Sequence, residues 1–146
     1  MIADEIVHEL GELHKRLRAA LEGLSADQLD RVPADGANSI AVLVTHTLGS
    51  ESAWLHRAGG QEIPRERSKE FEVRNAAAGQ LLAAIDRADQ DVAGLVRAAV
   101  DAGLETVRQN PGGRQITAIY CLLHAAAHTA EHVGHAEVTR QLIARR

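Results

Sequence analysis

Cysteine occurs once in the 146 residues, proline three times, and aromatic side chains make up only 2%. The single Cys121 excludes a disulfide framework and any zinc site built on two or more thiolates. Long apolar runs are missing too. The longest, residues 118–123, has six members, far short of the roughly 18 needed to span a bilayer. Residues 1–5 lack the basic and apolar regions of a secretory signal, so the expectation is a soluble, cytoplasmic protein. There is no excess of positive charge: 16 basic against 20 acidic side chains leave a net charge of −4. That balance removes the electrostatic footprint of a nucleic-acid or membrane-surface binder, so neither partner is expected. Gly59-Gly60 and Gly112-Gly113 lack the flanking pattern of a phosphate-binding loop.

What is present is alanine, 26 of it, among aliphatic residues. Such a composition favours helix packed closely on helix, and the length fits one domain over residues 1–146. Ile2, Ile6, Leu10, Leu13, Leu17, Leu21 and Leu24 form a helical stripe over residues 2–24. Ser25 to Gln28 has capping-box spacing and predicts a short turn of helix. A loop follows over 31–37, and Asn38 or Ser39 caps a second helix over 39–58 that stops at Gly59-Gly60. Residues 61–70, with Pro64 and alternating charges, read as a solvated connector. The third helix is expected over 74–100, a long loop over 101–114, and the fourth helix over 115–145, with Arg140, Arg145 and Arg146 complementing its dipole. No strand pattern stands out. The expected fold is all-α, an antiparallel four-helix bundle.

Histidine is the surplus: eight residues, four of them between positions 123 and 135. Thr117, Cys121, His124, His128, His132, His135 and Thr139 fall on one line of the fourth helix. Histidines at i and i+4 stand about 6 Å apart along the axis and can share one metal ion, whereas the outer two of three stand about 12 Å apart. Either His124 with His128 or His128 with His132 is therefore a candidate chelating pair. His46, in the apolar arc of the second helix, is the best candidate for a third ligand from elsewhere. A hydrogen-bonded polar layer or a proton-sensing cluster is the competing account of the same stripe. Three imidazoles leave positions open for water or substrate, as catalytic sites do.

Other metal and nucleophile patterns fit poorly. No His-Glu-x-x-His is present, and only residues 5–8 supply the Glu-x-x-His of a di-iron bundle. Cys121, one turn from His124, reads more readily as a small buried core residue than as a nucleophile. Glu51 has the phase of a buried residue and needs a partner: a ligand histidine that it orients, a proton that it abstracts, or an arginine of the loop. Trp54 is expected in the core, and His8, His14 and His56 at the surface or rim.

Residues 38–46, Asn-Ser-Ile-Ala-Val-Leu-Val-Thr-His, followed by Glu51 and Trp54-Leu55, resemble the second helix of the DinB-like superfamily. The run from His124 through His128 and His132 to Gly134-His135 is similar to its fourth-helix signature. Many members carry Gly-Gln where this chain has Gly134-His135. The resemblance implies a four-helix bundle with a divalent metal held by His46, His128 and His132. It places His124 and His135 around the metal, where, with Glu51, they would position or deprotonate the reactants. Zinc is the first expectation for the metal, with nickel, iron or manganese as alternatives. Characterised enzymes of this kind are thiol-dependent transferases and isomerases, so a low-molecular-weight thiol and a small electrophile are the implied cofactor and substrate. Arginine outnumbers lysine 14 to 2, a bias of GC-rich bacteria that favours mycothiol as the thiol. A homodimer is implied as well. The competing reading is a non-catalytic metal-binding or stress-response module.

Overall fold

The computed structural model describes residues 1–144. Its elements are α1 (Ile2–Leu21), α2 (Ala26–Asp30), α3 (Ile40–Ala58), α4 (Arg67–Glu70), α5 (Ala78–Asp101), β1 (Val107–Gln109), β2 (Gln115–Thr117) and α6 (Ala118–Ile143). The four long helices are α1, α3, α5 and α6. Both α1 and α3 pack on α5 and on α6, so the first two long helices lie across the diagonal of the bundle from each other. The segment between α1 and α3 therefore crosses the bundle end. None of the described helices is long and apolar enough to cross a membrane.

Local chemistry sets most boundaries where the sequence placed them. Gly23, at φ +76°, closes α1, because a left-handed residue after the last turn is cheapest for glycine. The Ser25 hydroxyl accepts the Gln28 amide while the Gln28 side chain accepts the Ser25 amide, completing the expected capping box. The Ser39 hydroxyl accepts the Val42 amide and starts α3.

Three expectations need correction. The third long helix begins at Ala78 rather than at residue 74, because Asn75 takes a positive φ of 57° and its amide is drawn to Asp30 Oδ2 at 2.6 Å. The segment between α5 and α6 is not a plain loop. It holds an antiparallel hairpin pairing Val107 with Thr117, Arg108 with Ile116 and Gln109 with Gln115. Asn110 closes the turn through its carbonyl to Gly113 N and its side-chain oxygen to Arg114 N. Strands of three residues are too short to display a period of two, which is why the alternation escaped notice. The last long helix accordingly starts at Ala118, with Thr117 as its cap through Oγ1 to Tyr120 N rather than as a member of its line. Arg145 and Arg146, expected to complement this helix's dipole, lie outside the described residues.

The core is aliphatic, as the composition requires. Leu10, Leu13, Leu17 and Leu21 of α1 meet Val44 and Leu55 of α3, Ile85 and Val96 of α5, and Leu122, Val133 and Ile143 of α6. Alanines 41, 58, 99, 125 and 136 fill the close approaches, and together these positions bring α3 and α6 into register along their histidine-bearing faces.

Candidate metal centre

His46 projects from the buried face of α3, and His128 and His132 from successive turns of α6. One ligand nitrogen from each lies within 4.8 Å of the others. The rings of His46 and His128 are 5.2 Å apart, those of His46 and His132 4.9 Å, and those of His128 and His132 4.4 Å, all near edge-on. The structure thus brings together the trio that the family resemblance selected, and the pair it favours is His128 with His132.

The donor set fits a transition metal. His128 Nε2 and His132 Nε2 face each other at 3.2 Å, close to the roughly 3.3 Å between two nitrogens on one tetrahedral zinc ion. His128 Nδ1 is buried without a hydrogen-bond partner, so the imidazole is under-satisfied by protein groups alone. Burial, then the neighbouring His132, His46 and His124, depress the pKa of His128 to about 4. Burial, followed by His46 and His135, lowers that of His132 as well. At neutral pH both rings are therefore uncharged, as metal ligands must be.

His46 is oriented by a residue that the sequence reading left in solvent. Its Nδ1 lies 2.9 Å from Glu70 Oε1, and Arg65 grips the same carboxylate through Nε and Nη2, each at 2.8 Å. With the proton on Nδ1, Nε2 is left as the ligand atom. Burial works against the Glu70 charge, but Arg65 and His46 outweigh it and hold its pKa below the ordinary value. Phe71 packs on the His46 ring at 4.7 Å. Alternating charges make the connector look solvated in the sequence. The signal that could have found it is Phe71 itself, the one phenylalanine of the chain, standing in a polar segment with nothing nearby to bury it. Replacing Glu70 with alanine is expected to weaken zinc binding by about 10–100-fold, with Glu70→Gln losing less. Competition against a chromophoric chelator measures this, and an unchanged affinity for both variants would contradict the assignment.

The remaining candidates divide. His124 lies against Trp54 at 4.3 Å, Tyr120 at 5.7 Å and His128 at 5.8 Å, and it makes no hydrogen bond among the described residues. Trp54 is thus half-buried beside the site rather than deep in the core. His135 stands at the solvent edge with Nδ1 3.2 Å from His132 Nδ1. Cys121 is fully buried, and burial raises its pKa, so it is a core residue as expected.

Glu51 is buried, as its phase required, but its partner differs from every one considered. Oε1 accepts from His14 Nε2 at 2.8 Å and Oε2 from Thr129 Oγ1 at 2.9 Å. The loop arginine serves Glu70 instead. His14 is correspondingly not at the rim: it is 2% exposed, and its Nδ1 meets Asp89 Oδ1 at 3.0 Å. Its position one turn from both Leu10 and Leu17 places it inside the buried arc of α1. Both ring nitrogens face carboxylates, an arrangement that favours the doubly protonated ring. Burial opposes that charge, and Glu51 and Asp89 outweigh it to raise the pKa. One layer of polar contacts thereby ties α1, α3, α5 and α6 together. His8 is exposed and His56 half-buried, as expected.

Comparison with known proteins converges on this architecture. YfiT from Bacillus subtilis, described as a probable metal-dependent hydrolase with an unusual four-helix bundle topology, superposes with a TM-score of 0.78 at 20% identity, over 95% of this chain and 86% of that one. A conserved protein from Enterococcus faecalis gives 0.79 at 16% identity, over 100% and 99%. A DinB-like protein from Bacillus cereus gives 0.68 at 16% identity, over 88% and 84%. At these identities the likeness is one of fold. No curated protein sequence matched. The sequence model of the DinB superfamily matches residues 9–136, a span that takes in all three histidines of the cluster and most of the bundle. With that match covering most of its length, the chain belongs to the DinB superfamily.

Proposed function

We propose that the chain is a metal-dependent enzyme in which His46, His128 and His132 hold one divalent transition metal, zinc first. In this reading it joins a nucleophile, a low-molecular-weight thiol or water, to a small electrophile. The observation that carries the reading is the cluster itself: three imidazoles with one nitrogen each converging within 4.8 Å, one of them braced by Glu70 and Arg65. Three protein ligands leave coordination positions for reactants, where a structural site would close them.

A divalent ion held there supplies Lewis acidity, which makes a thiol or water nucleophilic near neutral pH. The side chains do the rest. Glu70 fixes the His46 ring with Nε2 forward. His124, with no hydrogen bond among the described residues and beside His128, takes the proton that the nucleophile sheds. His135 links His132 to solvent through its Nδ1. Glu51, committed to His14 and Thr129, braces the helices behind the ligands rather than meeting the reactants. Because Cys121 is buried, any reactive sulfur arrives with a cofactor. The description of YfiT as a probable metal-dependent hydrolase supports the metal and keeps water beside thiol as the nucleophile.

The test is a turnover assay on metal-loaded protein with mycothiol, bacillithiol or glutathione against an epoxide and a chloroarene, and with water against activated esters. Turnover that a chelator abolishes and added metal restores is expected. Stoichiometric metal binding with no turnover across the panel would overturn the reading in favour of a non-catalytic metal-binding module.

A further inference from the structure

A second concave feature opens beside the metal cluster where the end of α3, the 61–67 connector and the tip of the hairpin converge. It is a cavity of about 260 Å³ whose walls include Trp54, Arg57, Ile63, Arg65, Arg67 and Pro111. Three guanidinium groups line it and no carboxylate does, in a chain whose net charge is −4. Such a local reversal of sign has a physical cost, offset only in part by Glu62 and Glu70, which lie outside the walls.

The guanidinium groups are not equally committed. Arg65 is paired with Glu70 and its charge is largely spent there. Arg67 stacks over Phe71 at 5.0 Å and has no carboxylate partner among the described residues. Arg57 lies over the Trp54 ring at 5.1 Å, and its side chain is 13% exposed. Among the described residues its only ion pair is a 3.5 Å contact from Nη2 to the exposed Glu62, and its Nε is a buried donor with no acceptor. A buried N–H without an acceptor is costly and rare, so this guanidinium is under-satisfied by protein groups, and its partly exposed end is what a ligand carboxylate would meet. The other walls, Trp54, Ile63 and Pro111, are apolar and offer a flat indole face.

The cavity also touches the metal cluster through its own walls. Arg65 reaches His46 through the shared Glu70, Arg67 reaches it through Phe71, and the Trp54 ring lies 4.3 Å from His124.

We infer that this cavity binds the anionic end of a small organic acid, with Arg57 and Arg67 holding the carboxylate and Trp54, Ile63 and Pro111 covering a flat apolar body. As a substrate subsite it rests on the metal-centred reading above, and it narrows the electrophile to one carrying a carboxylate. The volume restricts it to compact molecules, below the roughly 300 Å³ at which drug-sized pockets begin.

Trp54 is the one tryptophan of the chain, so its emission reports on this cavity directly. Full-length protein, metal-free and zinc-loaded, is titrated with benzoate, benzyl alcohol and inorganic phosphate. Benzoate should change the emission saturably, with benzyl alcohol and phosphate each at least about tenfold weaker, since each lacks one half of the recognition. Arg57→Gln and Arg67→Gln should each weaken benzoate by about tenfold while leaving zinc stoichiometry at the wild-type value. Arg67 is exposed, so its variant keeps the test open if Arg57→Gln misfolds. Equal binding of benzyl alcohol would reduce the cavity to an apolar cleft, and equal binding of phosphate to an inorganic-anion site. Either result, or benzoate binding untouched by both substitutions, overturns the inference. Benzoate binding with no zinc uptake would sink the metal reading alone.

Discussion

Glu51→Ala is expected to cost about 3 kcal/mol of folding stability, the largest effect predicted for any substitution outside the hydrophobic core. Breaking a buried ion pair by removing one partner typically costs about 3–5 kcal/mol. The lower end applies because His14 keeps Asp89, which is 56% exposed, and can shed its proton. Thr129 loses its acceptor in the same substitution. For a chain of this length the loss corresponds to a fall in Tm of about 6–12 °C. Glu51→Gln keeps an acceptor for His14 and should cost less.

The pH dependence has a definite sign. The folded-state pKa of His14 is raised, so the fold favours the protonated ring. That contribution is fully present below the unfolded value of about 6.5 and is lost as pH rises through the higher folded value. The stability gap between wild type and Glu51→Ala should therefore be widest near pH 6 and narrow toward pH 9. Urea unfolding of the metal-free proteins across that range measures it. A gap below about 1 kcal/mol, or one that widens with pH, would contradict an imidazolium held by Glu51.

His128→Ala is expected to take metal content from one ion per chain to none at micromolar zinc. The loss should exceed the roughly 10–100-fold assigned to Glu70, because a ligand is removed rather than its support. Wild-type protein at zinc concentrations about 100-fold above Kd gains about 2.7 kcal/mol, and the variant should gain nothing. Folding should not be the casualty. His128 has a buried Nδ1 without a partner, so losing its contacts to His132 and His124 is partly offset and the metal-free variant should still fold. A variant that folds and still binds stoichiometric zinc would remove His128 from the ligand set.

What could be read from the chain depended on how far apart the interacting residues lie. The stripe of His124, His128, His132 and His135 is a local property of one helix, and 3.6 residues per turn placed it correctly. The phase of Glu51 was local too, so its burial was legible. Its partner was not, because His14 is 37 residues away on a helix that reaches it only through tertiary packing. His14 sat in the apolar arc of Leu10, Leu13 and Leu17, but its polar identity argued for the rim until a buried carboxylate was found to meet it. Glu70 and Arg65 were hidden differently. In a short charged connector nothing periodic distinguishes a pair that folds back onto His46 from one that faces water. The hairpin was lost because three-residue strands carry too little alternation to register. The lone cysteine was informative at once: with only one thiol in the chain, imidazoles are the nitrogen donors available for a transition metal.

The central claim is that His46, His128 and His132 share one ion. Anomalous diffraction at the zinc edge from crystals of the zinc-loaded protein tests it most directly. The account predicts a single strong peak per chain within bonding distance of one nitrogen from each of these three histidines, with Glu70 still on His46 Nδ1. A peak bound elsewhere, or none at saturating zinc, would contradict it.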